Sequence, residues 1–118
     1  LFALTWERAR SIAGASRVLV VCGEEHAAWV RRQAPGLPRE RIIREGQGRN
    51  TAASVALAAH WIRARQGDAT MVVLPADHWI DPVSSFRRTI RRAETRPRAA
   101  ARRRACAARS ARITIPRF

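Results

Sequence analysis

An α/β fold with a mostly parallel sheet and flanking helices is predicted for this chain of 118 residues. Three observations carry that prediction. RVLVVC (17–22) and TMVVLPADH (70–78) are short continuous apolar runs, as in strands covered on both faces, with the weaker RIIRE (41–45) between them. Segments of helical character alternate with these runs, which implies right-handed crossovers between parallel strands. Glycine, proline and short polar residues fall between the segments, where turns and caps belong.

In chain order, LFALTWERARSIA (1–13) is read as a helix that begins abruptly, with Leu1, Leu4, Ala9 and Ile12 near helical spacing and Glu7, Arg8 and Arg10 on a wet face. Gly23 punctuates the first strand. EEHAAWVRRQA (24–34) carries acidic residues in its first turn and arginines near its end, matching the helix dipole. PGLPRE is a loop. After RIIRE, Asn50 or Thr51 can cap a helix over about 51–66 that Gly67 ends. Pro75 breaks the next strand. Asp81, Pro82, Ser84 and Ser85 introduce a last helix through roughly 95, with Pro97 beyond it. Residues 1–95 thus form one α/β domain, and 96–118 are an Arg/Ala-rich tail, low in complexity and without an apolar stripe, expected to be disordered or a frayed helix. Its closing ITIPRF reads as a stray strand. Trp6, Trp29, Trp61 and Trp79 are expected in core or interface positions.

Composition narrows the function. The net charge of +14 suggests a polyanion partner, but its distribution argues otherwise. Residues 1–86 hold 11 Arg and 8 acidic residues, a net of +3, whereas 87–118 hold 12 Arg and one acidic residue, Glu94, a net of +11. All 23 basic residues are arginine, more like a coding bias than a surface selected for phosphate contacts. Cys22 and Cys106 belong to no metal-ligand spacing, so neither a disulfide scaffold nor a zinc site is expected. No window approaches a membrane span. A cytoplasmic protein without membrane contacts is the resulting expectation.

Parallel sheets bind ligands beyond the carboxyl ends of their strands, which directs attention to Gly23-Glu24-Glu25-His26, to Gly46 through Thr51, and to Asp77-His78. Glycines in GQGRNT let main-chain atoms approach a flat ligand, and the helix start that follows offers unpaired N–H groups to a base or phosphate. The alternative is an ordinary strand-to-helix turn. Asp77 after a buried strand suits a cation such as Mg²⁺, which takes one or two carboxylates plus substrate phosphate oxygens; it suits equally a turn or cap residue. His78 reads as a hydrogen-bonded turn histidine.

Taken together, EGQGRNTAASVALAA (45–59) and MVVLPADHWI (71–80), followed by Phe86, closely resemble the mannose-1-phosphate guanylyltransferase family, whose members read E-P-x-G-R-N-T-A-P-A-I-A-L-A-A and V-L-P-A-D-H-x-I. LFALTWERA and VLVVCGEEHAAWVRRQ are similar to the helix after that family's first motif and to its second strand and helix. The resemblance covers about residues 1–94. It implies a partial Rossmann-like nucleotidyltransferase domain that transfers GMP from GTP to mannose 1-phosphate, giving GDP-mannose and pyrophosphate with Mg²⁺. By position, Gly48, Arg49, Asn50 and Thr51 would form the guanine and ribose side of the pocket, and Asp77 would be a metal ligand. No residue is assigned a catalytic role.

The departures from the family pattern carry expectations of their own. Gly46 stands where proline is usual, and Ala53-Ser54 replaces Pro-Ala. The resemblance also implies that the family's first strand with its Gly-rich phosphate loop, a second metal-binding Asp and the sugar-binding half lie outside this sequence. A neighbouring strand edge would then be unpaired, and turnover by the chain alone would be slight or nil. The composition change near residue 95 suggests a tail read out of frame. The competing reading is a basic nucleic-acid-binding module, in which arginines of 96–112 neutralise phosphates and binding falls steeply with salt. No tryptophan interleaves those arginines as a stacking platform, so nonspecific contact is what that tail would supply. A third reading makes the chain a nonfunctional α/β remnant.

Overall fold

The structure, a computed structural model, describes residues 1–46, 51–95 and 112–115, the last segment as backbone. Helices α1 (Phe2–Ala13), α2 (Ala27–Gln33), α3 (Thr51–Gln66) and α4 (Val83–Thr95) alternate with strands β1 (Val18–Gly23), β2 (Ile42–Glu45) and β3 (Met71–Val73), and β4 (Arg112–Ile115) closes the series. The four strands form one sheet in the order β2-β1-β4-β3, and every pair is parallel. The α/β prediction holds, with helices on both faces.

β1 explains the layering. All six of its residues are buried, and because successive side chains point to opposite faces, the run serves two cores. Val18, Val20 and Cys22 face a cluster made with Phe2, Trp6, Ala9 and Ala13 of α1, Ala27 and Val30 of α2, and Leu74. Leu19 and Val21 face the other way, onto Ala58 and Ile62 of α3. A strand with only one buried face would have alternated apolar and polar residues; this one is covered twice.

α3 lies flat on its side of the sheet because its contact stripe is built from residues four apart, Ser54, Ala58 and Ile62, all buried. Small side chains at the first two positions let the helix approach closely. Gly67 ends it in the left-handed region, with φ +72° and its N–H donated to the Arg63 carbonyl at 3.1 Å.

α1 corrects the sequence-based facing. The buried residues are Phe2, Thr5, Trp6, Arg8, Ala9 and Ala13, while Leu1 and Leu4 are exposed at 62% and 48%. The bulk of Phe2 and Trp6 decides the rotation, since the two rings offer more apolar area than the two leucines. Arg8, expected in water, is consequently only 5% exposed. Of the four tryptophans, Trp6 is fully buried, Trp29 packs its ring 5.6 Å from that of Phe2, and Trp79 is 70% exposed.

Two further differences concern strands. TMVVLPADH supplies only Met71–Val73 to the sheet, because Pro75 has no N–H to offer a ladder and the chain turns at Ala76-Asp77. The segment 24–34 is a single 3-10 turn, Glu24–His26, followed by α2. ITIPRF, in turn, contributes β4, which is no edge piece. Val18, Leu19 and Val20 pair with Ile113, Thr114 and Ile115 on one side, and Met71, Val72 and Val73 pair with Arg112, Ile113 and Thr114 on the other. β1 is therefore paired on both of its edges, by β2 and by this strand. Residues 96–111 and 116–118 of the expected tail lie outside the described residues. Among the described residues no helix is long and apolar enough to cross a membrane.

Two stability predictions follow from this packing. Trp6→Ala removes a fully buried indole and is expected to cost about 3–5 kcal/mol in chemical denaturation, a large share of the stability of a domain this size. Thr114→Pro places a residue without an N–H in the middle strand of the β1-β4-β3 ladder; loss of a cooperative thermal transition, followed by circular dichroism, is the expected result.

Candidate functional site

Because all the strand pairs are parallel, their carboxyl ends share one rim. Gly23 at the end of β1 pairs with Glu45 at the end of β2, and beyond them come the 3-10 turn Glu24–His26 and Gly46. On the far side, β3 runs into Leu74-Pro75-Ala76-Asp77-His78. Thr51 opens α3 at this rim and is exposed. Gly48, Arg49 and Asn50, the other nucleotide-binding candidates, lie outside the described residues, as does Gln47.

Thr51 and Asp77 thus stand at the same rim but do not follow neighbouring strands. β2 and β3 are the two edges of the sheet, with β1 and β4 between them. Three inter-strand steps separate them laterally, roughly 14 Å at the usual spacing. β4 causes this separation: a strand from the far end of the sequence is interposed where the order of β1 to β3 alone would have brought them closer. A ligand touching both ends has to be extended.

Charge is unevenly spread along the rim. The β1–β2 end carries Glu24, Glu25 and Glu45. Glu24 accepts a hydrogen bond from Arg44 Nη1 at 2.6 Å, an ion pair with both side chains more than half exposed, and such pairs contribute little to stability. His26 Nδ1 lies 2.9 Å from Glu25 Oε1 without the alignment of a hydrogen bond. At the β3 end Asp77 is exposed, and its carboxylate makes no hydrogen bond or ion pair with any described residue. It caps nothing: α4 begins at Val83. His78, equally exposed, does have interaction partners.

Behind Asp77 the support comes from α1, a connection that the motifs at 45–59 and 71–80 do not indicate. Thr5, fully buried, donates its hydroxyl to the Ala76 carbonyl at 3.3 Å. Arg8 Nη1 donates to the His78 carbonyl at 3.5 Å, and its guanidinium carbon stands 6.0 Å from the Phe86 ring centre of α4. Burial pulls the Arg8 pKa below its ordinary range by penalising the charged form. The signal available in the sequence was Thr5 and Arg8 three positions apart among Phe2, Trp6 and Ala9, two polar residues on what the large rings mark as the inward face.

Among the described residues no group of three or more His, Cys, Asp or Glu could cage a metal ion. A single exposed carboxylate without a protein partner fits the way Mg²⁺ is held with a nucleotide, where phosphate oxygens and water complete the shell. The donor chemistry at Asp77 therefore suits a metal that arrives with its substrate.

Comparison with known proteins identifies the family. The sequence profile of the nucleotidyl transferase family matches residues 1–108. The chain belongs to the nucleotidyl transferase family. Membership of this enzyme family is consistent with the parallel sheet, and the match extends past residue 94, where the recognisable motifs end. Nucleotidyl transferase relatives include mannose-1-phosphate guanylyltransferase of Escherichia coli, 42% identical over 78 residues that make up 64% of this chain and 17% of that protein. Alginate biosynthesis protein AlgA of Pseudomonas fluorescens is 39% identical over 92 residues, 76% of this chain and 19% of the relative. Xanthan biosynthesis protein XanB of Xanthomonas campestris is 35% identical over 88 residues, 73% and 19% respectively. The chain spans less than one fifth of the length of these relatives. No solved structure matches.

Asp77→Ala separates the two roles open to this residue. A turn or capping aspartate loses about 1 kcal/mol on such a change, whereas an exposed carboxylate without a partner among the described residues predicts a stability within about 0.5 kcal/mol of the parent in urea titration.

Proposed function

We propose that this chain forms the nucleotide-binding part of a guanylyltransferase that moves GMP from GTP to mannose 1-phosphate, giving GDP-mannose and pyrophosphate. The observation that carries the reading is the common rim: the end of β2 and the Asp77 turn stand at the carboxyl ends of parallel strands, with Thr51 opening α3 beyond β2, within a family whose relatives include a mannose-1-phosphate guanylyltransferase.

The rim's charge gives the bound nucleotide a direction. Glu24, Glu25 and Glu45 at the β1–β2 end, the first of them ion-paired with Arg44, offer carboxylate oxygens that accept hydrogen bonds from the amino and hydroxyl groups of a purine nucleoside. The base and ribose therefore go to that end, beside Gly48, Arg49, Asn50 and Thr51. The phosphates extend toward β3. There Asp77 would hold Mg²⁺, which supplies charge neutralisation as negative charge builds on the phosphoryl oxygens. The protein's share is to fix base and phosphates in register and to keep the Asp77 carboxylate turned outward. Four residues of α3 and its approach hold one end of the ligand, and one carboxylate the other.

A binding titration of the full chain with GTP and Mg²⁺, run beside ATP and a short DNA duplex, tests this. The expected outcome is saturable GTP binding, at least about tenfold tighter than ATP, a margin of 1.4 kcal/mol. Asp77→Asn should weaken it in the presence of Mg²⁺ and leave the metal-free affinity unchanged. Binding to the DNA alone, falling steeply with added salt and lost when Arg102, Arg103 and Arg104 become Gln, would favour the arginine-rich segment as the functional part instead.

A further inference from the structure

Arg8 is a residue whose burial demands a reason. A guanidinium does not shed its proton to escape the interior, so burial takes water away from a charged group. At 5% exposure it has the Phe86 ring at 6.0 Å and, among the described residues, one long hydrogen bond, to the His78 carbonyl at 3.5 Å, while its Nε finds no partner there. A methionine or leucine would fill that space without that cost. What the apolar residue could not do is donate to a main-chain oxygen.

The neighbouring turn of the same helix does the same thing. Thr5, with no exposed surface, donates to the Ala76 carbonyl at 3.3 Å. The two acceptors are the residues on either side of Asp77, and the two donors lie three positions apart on one face of α1. Apolar packing holds one side of this turn, with Leu74 buried and Ala76 partly buried against the same core, whereas Asp77, His78 and Trp79 beyond it are all exposed. The turn that carries Asp77 is thus gripped by its backbone, before and after the carboxylate, from a helix at the opposite end of the sequence.

We propose that Thr5 and Arg8 are positioning residues that clamp the Ala76–His78 turn so that the Asp77 carboxylate faces the rim; the metal-binding part of this inference rests on the nucleotide site described above. The roles are mechanical: neither side chain touches the nucleotide.

The test uses the full chain with Thr5→Val, Thr5→Ser, Arg8→Met and Arg8→Lys, and two readouts. The first is amide hydrogen exchange of Asp77, His78 and Trp79 without ligand; the second is Mn²⁺ binding in the presence of GTP, followed by electron paramagnetic resonance. Thr5→Val, close in shape, and Arg8→Met are expected to speed exchange at these three amides about five- to tenfold, the loss of roughly one hydrogen bond, with exchange in α2 and α3 unchanged. Mn²⁺ affinity should fall by a similar factor, Thr5→Ser should restore both, and Arg8→Lys should restore them in part. Folded Thr5→Val and Arg8→Met proteins with exchange and Mn²⁺ affinity both within twofold of the parent would overturn the proposal, as would exchange that rises equally throughout the chain. Should Asp77→Asn leave Mn²⁺ affinity intact, the metal assignment fails by itself, and the local exchange rates still decide whether the clamp exists.

Discussion

The constraint on which the structure depends is that β1 has to be covered on both faces and paired on both edges. Its six buried residues leave no side available to water, so helices have to pack above and below it and strands have to flank it. α1 and α2 take one face and α3 the other. β2 takes one edge and β4 the second. Each of these partners is itself positioned by β1, which makes the strand the common reference for everything at the rim.

β4 shows how strong that demand is. Arg112–Ile115 follows a stretch with no apolar periodicity, yet its backbone pairs in parallel with both β1 and β3. A main-chain donor or acceptor in the middle of a sheet costs free energy when it is left unpaired, and this strand satisfies β1 and β3 together. The consequence reaches the site. With β4 interposed, the chain end of β2 and that of β3 become the sheet's two edges, and the space between them suits an extended ligand more than a compact one.

The legible parts of this fold were those where one physical effect dominates. RVLVVC could be read because a doubly covered strand is apolar throughout, and α3 because a polar entry, small residues and Gly67 mark its start, body and end. Asp77 could be marked as exceptional by its place after a strand, and the structure finds it exposed and unpartnered. The facing of α1 was lost because leucine and phenylalanine at nearby positions competed for the same core, and the contest is decided by shape, which spacing does not encode. β4 was hidden for another reason: four residues carry too little pattern to announce a strand in the middle of a sheet. The separation of β2 from β3 followed from that omission.

Arg8 joins these threads. A sequence pattern assigns arginine to water because the cost of burying it is large, and the same cost is what gives its burial meaning once it is seen. The rings of Phe2 and Trp6 set the rotation of α1, that rotation carries Thr5 and Arg8 inward, and the two donors then reach the carbonyls on either side of Asp77. Core packing and site geometry are therefore coupled through one helix. A change that let α1 roll toward Leu1 and Leu4 would bury less apolar area, and it would also withdraw both donors from the turn. The apolar stripe alone does not choose between these rotations; the aromatic bulk does, and the polar contacts at the Asp77 turn depend on that choice.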